Sequence, residues 1–187
     1  DGRMLPVNVS FSVSFTAEGV RQITPVVTPG EPLMALETLQ PVSMLASAAH
    51  EDGFTTVVAN GPKELEIIEV EEIRALFGDV QREIHRQSLP LPINGTIQTL
   101  AIDQRGDYIF AGTDEGQIVQ VERIPELRVV SISNGVQRTE TGISRLGFLI
   151  GDRTLVVGDT RGAVSSWQVL PEPGGERRLR RINTFEP

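Results

Sequence analysis

"YIFAGTDEGQIVQVE" (Tyr108–Glu122) sets two short apolar runs on either side of a polar turn that ends in glycine. "TLVVGDTRGAVSSWQV" (Thr154–Val169) does the same, in register. Gly112 and Gly158 are 46 residues apart, as are Gly116 and Gly162, and as are Val121 and Trp167. A fixed period of this size is a structural repeat, and apolar runs of this length bounded by Gly and Asp read as strands.

The pattern extends outward from these two corners. One copy opens with "TIQTLAID" (Thr96–Asp103) and the turn "QRGD", the next with "GISRLGFLI" (Gly142–Ile150) and the turn "GDR". A weaker copy precedes them in "PVSMLASAAHEDGFTTVVANGPKELEIIEV" (Pro41–Val70). Each copy closes on a segment suited to a fourth, outer strand: "QREIHRQSL", "ELRVVSIS" and "RRLRRINTF". Four short strands per repeat, with a period in the forties, predict propeller blades. The expected fold is all-β: a partial, open β-propeller-like array of about three four-stranded antiparallel blades with an N-terminal β-hairpin. The expected boundaries are 1–40 for the hairpin and linker, and approximately 41–95, 96–141 and 142–187 for the repeats.

In the N-terminal segment, "VNVSFSVSF" (Val7–Phe15) alternates strictly, which predicts a half-buried strand. The turn at Glu18-Gly19 returns the chain into "VRQITPVV", and "TPGEP" ends the hairpin because its prolines cannot join a central ladder. "EEIRALFGDVQREI" breaks the cadence: Ile73, Leu76, Phe77, Val80 and Ile84 have helical spacing. Gly78 and the repeat register limit it to a short helical turn leading into a strand.

The stretch "LAIDQRGDYIFAGTDEGQIVQVE" resembles a blade of the WD-repeat family of β-propellers. Asp114 and Asp159 stand where that family keeps its turn aspartate, and Trp167 where it keeps its tryptophan. Gln168, however, replaces the Asp that should follow, and "NGTI" and "TGIS" replace the family's Gly-His pair. The resemblance covers Pro41 to Pro187 and implies the fold more than the function. Gly112, Asp114, Gly116, Gly158, Asp159, Gly162 and Trp167 are its structural positions. A narrower resemblance is to the periplasmic insert of bacterial phosphate ABC-transporter permeases, suggested by "LQPVSMLASAAHEDGFTTVVANG" and "RRLRRINTFEP". It implies an extracytoplasmic domain of an inner-membrane protein, with no transport residue of its own.

The bulk numbers exclude several classes. A net charge of −8 works against nucleic acid, because neutralising phosphates requires surplus Lys and Arg. No apolar run approaches the ~18 residues that span a bilayer, so membrane contact is expected only through segments outside this sequence. With no cysteine and only His50 and His85, no disulfide, metal or cofactor is expected. Those two histidines do not define a triad by spacing. "RGD" (Arg105–Asp107) falls where a blade turn belongs, and Gly-Asp is ordinary turn chemistry.

Two charge runs remain. Glu64, Glu66, Glu69, Glu71 and Glu72, interleaved with Leu65, Ile67 and Ile68, read as the exposed face of a strand. Arg177, Arg178, Arg180 and Arg181 read as an outermost strand with Leu179 and Ile182 on its buried side, and as a candidate interaction surface.

Three readings of function follow. The first is a non-catalytic extracytoplasmic interaction or sensory domain of a phosphate-type permease. The alternative is a cytoplasmic WD-repeat scaffold for other proteins, and the third is a propeller-based enzyme. Expected partners are proteins or the remaining transporter subunits, with self-association through edge strands. Three blades do not close a ring of ~4–8, so the sequence reads as a segment of a longer propeller.

Overall fold

The computed structural model describes residues 3–4, 7–30, 34–35, 42, 44–73, 81–137 and 140–185. All regular structure among them is β-strand. The chain divides into two compact units, Asp1–Pro41 and Val42–Pro187.

In the first unit, β1 (Arg3–Met4) pairs antiparallel with β4 (Met34–Ala35), and β2 (Val7–Phe15) with β3 (Arg21–Pro29). The β2–β3 turn closes on Thr16, whose carbonyl accepts the Gly19 amide at 2.9 Å. The hairpin is present, but it is not half-buried: the described side chains of both strands are exposed. Alternation fixes which side chains share a face, and a two-stranded layer has nothing of its own to cover that face.

The second unit holds three four-stranded antiparallel sheets, in each of which spatial order follows chain order. Blade 1 is β5 (Leu45–His50), β6 (Gly53–Ala59), β7 (Glu64–Ile73) and β8 (Gln81–Pro90). Blade 2 is β9 (Ile97–Ile102), β10 (Tyr108–Thr113), β11 (Gln117–Glu122) and β12 (Arg128–Asn134). Blade 3 is β13 (Ile143–Phe148), β14 (Leu155–Asp159), β15 (Val164–Pro171) and β16 (Arg177–Phe185). The first strands β5, β9 and β13 lie side by side, so the blades stack like those of a propeller, and the array is open.

Blade 2 explains why its strands read as unbroken apolar runs. Ile109, Ala111, Val119 and Val121 face Val57, Leu65 and Ile67 of blade 1. Their neighbours Phe110 and Ile118 point the other way, to Ile143, Leu155 and Trp167 of blade 3. A sheet covered on both faces needs apolar residues at successive positions. Each of the fully buried Val, Leu, Ile and Phe side chains among these contributes about 1.5–3 kcal/mol of transfer free energy.

The repeat is visible in the backbone. The Asp103 amide bonds the Tyr108 carbonyl at 3.1 Å, and 46 residues on Leu149 bonds Thr154 at 3.0 Å. Likewise Gly106 bonds Asp103 and Asp152 bonds Leu149, and Asp114 bonds Thr96 and Thr160 bonds Gly142. In blade 1 the Ala59 amide reaches the Met44 carbonyl at 3.4 Å, a looser form of this last tie.

This register separates two aspartates that look equivalent in sequence. The counterpart of Asp159 is Thr113, and the counterpart of Asp114 is Thr160. Thr113 and Asp159 cap the hairpin turn: Thr113 Oγ1 accepts the Gln117 amide at 3.0 Å, and Asp159 Oδ1 those of Arg161 and Ala163 at 2.8 and 2.9 Å. Asp114 and Thr160 instead tie the corner to the residue before the inner strand. Asp114 Oδ1 accepts the Thr96 amide at 2.6 Å, and Thr160 Oγ1 the Gly142 amide at 3.3 Å. Gly116 and Gly162 close both turns at φ 78° and 89°, a region costly for other residues.

Two further expectations need correction, and a third falls partly outside the described residues. Glu66 is not on an exposed face: it is 4% accessible and ion-paired to Arg86, because β7 is covered on both sides at that point. Glu64, Glu69 and Glu72 are half-buried, so only Glu71 of the five is fully exposed. Ile182 is not on the buried side of β16 but 52% exposed, since residues three apart on a strand point to opposite faces. Of the segment with helical spacing, Ile73 and Ile84 lie in β7 and β8, while Leu76, Phe77 and Val80 lie outside the described residues.

Candidate functional site

A cleft of about 650 Å³ opens between blades 2 and 3, where the β9–β10 and β13–β14 turns face each other. Its walls carry Tyr108, Phe148 and Trp167, and Asp103, Asp107 and Asp152 converge on it. Arg105, Arg153 and Arg177 stand exposed at its mouth.

The repeat explains the opening. At the blade 1–2 junction a smaller space of about 140 Å³ is lined by Ile67, Glu69, His85, Gln87 and Arg123, and Arg123 bridges the two blades there. The guanidinium donates to the Gly106 carbonyl through Nε at 2.7 Å and pairs with Glu69 through Nη1 at 2.7 Å. Forty-six residues on from Arg123 stands Val169, too short to reach across. The turn residue changes in the same way. Gly106, at φ 73°, lies so close to blade 1 that an added Cβ would sit 2.8 Å from His50 Cε1. Its counterpart Asp152 keeps the left-handed backbone, at φ 52°, but has room for a side chain, and its Oδ2 accepts the Gln104 amide at 2.6 Å.

Burial pushes the Asp103 carboxyl above the ordinary aspartate value, and the neighbouring charges of Asp107 and Asp152 add to the shift against the Tyr108 amide, which lowers it. Burial, followed by the Glu122 carboxylate, likewise raises the Tyr108 phenol. The cleft therefore disfavours additional negative charge in its depth while presenting cations at its rim. Its chemistry suits a mixed apolar and charged chain segment.

The arginine run does not form one patch. Arg178 pairs with Glu176 at 2.9 Å and Arg180 with Glu172 at 2.6 Å, both on the face of β16 opposite Leu179. Arg181 lies over the Trp167 ring at 4.8 Å and donates to the Asn134 carbonyl at 2.8 Å, so it joins blade 3 to blade 2. Only Arg177 reaches the cleft. Trp167 itself is buried between the blades, with Nε1 donating to Ser165 Oγ at 2.8 Å. Gly112 and Gly158 belong to β10 and β14 and are not among the residues that line this cleft.

Sequence reading missed the cleft. Its signal was the Arg123/Val169 pair, an exchange of a long cation for a short aliphatic residue at one repeat position. The two histidines have separate partners. His50 Nε2 is 2.8 Å from Oγ1 of fully buried Thr55, and His85 is exposed beside Glu83. Glu71, Glu83 and His85 form the one cluster of metal-ligating type among the described residues, and cross-strand pairing of β7 with β8 is enough to gather them.

No family model matches the chain, and no curated protein matches it. Solved structures do. The β-propeller domain of Myceliophteria thermophila Cps50 (Swd1) superposes with a TM-score of 0.55 at 15% identity, over 96% of this chain and 59% of that one. The fold is that of a β-propeller, in part. Hsv2 of Kluyvelomyces marxianus superposes with a TM-score of 0.57 at 10% identity, over 89% of this chain and 55% of that one. The chain thus spans little more than half the length of either match.

Proposed function

We propose that this chain is a non-catalytic interaction module, a WD-repeat-like scaffold segment that holds an extended segment of a partner protein in the cleft between blades 2 and 3. The supporting observation is that cleft: a pre-formed groove, walled by aromatic and acidic side chains and rimmed by Arg105, Arg153 and Arg177, on a rigid two-blade junction. Propeller matches support a scaffold role by analogy of fold. The permease-insert resemblance, and the periplasmic location that goes with it, gain no support from those matches.

The test is panning of a random peptide library on the immobilised chain, with Val169→Arg as the counter-target. That substitution places the bulk of Arg123 at its repeat position, inside the groove. Enrichment lost on Val169→Arg supports the reading. Equal enrichment on both proteins, or none on either, overturns it.

A further inference from the structure

Nine of the nineteen exposed large apolar side chains among the described residues lie in the N-terminal hairpin. Its register sets Val7, Val9, Phe11, Val13 and Phe15 opposite Pro29, Val27, Pro25, Ile23 and Arg21. All ten side chains therefore share one face. Phe11 and Phe15 are 67% and 69% exposed, and Val7, Val9, Val13, Ile23 and Val27 at least half. The other face carries Ser10, Ser12 and Ser14 opposite Val26, Thr24 and Gln22.

A two-stranded hairpin is marginal in water, and one with an open Val/Phe face needs a second layer. The seven large apolar residues present on the order of 600 Å² per copy, near the ~800 Å² that each side of a standard interface buries. We propose that this face docks on the same face of a second copy of the chain, giving a two-layer, four-stranded sandwich.

Two features select that occupant. The face has a single charge, Arg21, at its turn end, so a two-fold arrangement with the hairpins antiparallel keeps the two Arg21 side chains at opposite ends and places no like charges together. The outer edge of β3 is also blunted. The Thr16 amide bonds Val20, so by alternation Pro25 and Pro29 sit in non-hydrogen-bonded pairs, and their missing N–H groups face outward. Assembly by face is thereby favoured over the extension of that edge.

The experiment is sedimentation velocity over a wide concentration range on the 187-residue chain and two variants, Phe11→Asp on the apolar face and Ser12→Asp on the opposite face. Trp167 is the single tryptophan and lies in the other unit, so its fluorescence reports that the blades stay folded. The expected result is a concentration-dependent dimer that Ser12→Asp retains and Phe11→Asp weakens by on the order of a hundred-fold in Kd. Because Phe11→Asp also perturbs the hairpin itself, Phe11→Cys and Ser12→Cys, each the only cysteine in its chain, are treated with a short bismaleimide. Covalent dimer from Phe11→Cys in clear excess over Ser12→Cys is expected. A monomer at every concentration, a dimer indifferent to Phe11→Asp, equal crosslinking at both positions, or a monomer that co-floats with phosphatidylcholine vesicles would each overturn the proposal.

Discussion

Gln120 in β11 grips Leu179 in β16: its Oε1 accepts the Leu179 amide at 2.8 Å, and its Nε2 donates to the Arg177 carbonyl at 2.9 Å. The side chain is fully buried, and Ser131 Oγ completes its bonding at 3.0 Å. One amide thus satisfies a donor and an acceptor on the next blade's outer strand. Gln120→Leu keeps the volume but leaves the Leu179 amide and Arg177 carbonyl without partners, at about 1–3 kcal/mol for each buried group. Urea unfolding followed by Trp167 fluorescence should show a loss of roughly 2–4 kcal/mol. An unchanged midpoint would mean that the blades are not held at this point.

Gly112 and Gly158 occupy one repeat position but face different surroundings. A Cβ on Gly112 would meet Ile143 Cγ2 at 2.6 Å and Thr99 Cγ2 at 2.9 Å, because blade 3 is seated there. On Gly158 it would meet only Ser144 Oγ at 3.4 Å. Gly112→Ala is expected to cost about 1–3 kcal/mol through overpacking, whereas Gly158→Ala is expected to be neutral or to stabilise by up to ~1 kcal/mol through the unfolded chain. Parallel thermal melts decide it. Equal losses at both positions would mean that the far side of blade 3 is also tightly packed.

The pair of glycines also indicates what a sequence can carry. The 46-residue spacing located every strand of blades 2 and 3, because strand period and turn glycines are local properties. Whether a face is covered depends on what packs against it. The alternation in Val7–Phe15 therefore marks a strand but not whether its face is covered, and the acidic pattern around Glu66 does not show that this residue is buried. The cleft follows from side-chain length at one position, Arg123 against Val169, which is visible only when the copies are aligned residue by residue. Aligning by residue type misled in the other direction, since it paired Asp114 with Asp159 when their hydrogen bonds do different work.

Asp114 gives a pH signature for the blade 2 corner. Partial burial works to raise its carboxyl, but the Thr96 hydroxyl and amide and the amides of Asp114 and Glu115 outweigh it and hold it below the ordinary 3.8. A depressed carboxyl stabilises the fold above its unfolded value, and that contribution is lost as pH falls through the lower folded value. Asp114→Ala should cost about 1 kcal/mol at neutral pH, the low end for bonds to a charge because the corner is open to solvent. The difference from wild type should narrow as pH drops below 3.8. A gap that stays constant into acid would assign the effect to helping the turn sterically rather than to the carboxylate.

Asp103 has the opposite sign. Its carboxyl is raised by burial and by Asp107 and Asp152, so the folded protein holds a proton that the unfolded chain releases above 3.8. Stability contributed by this group therefore falls as pH rises through the folded value. Asn at this position removes the charge, and its Oδ1 still accepts the Tyr108 amide, a bond of 3.0 Å in the present cleft. Asp103→Asn should accordingly raise Tm at neutral pH and have no effect in strong acid, where both side chains are neutral. A differential melt series against pH reads this directly. A variant that is less stable at neutral pH would mean that the Asp103 charge is held by a cation, with the rim arginine Arg105 or Arg177 folded inward over the cleft.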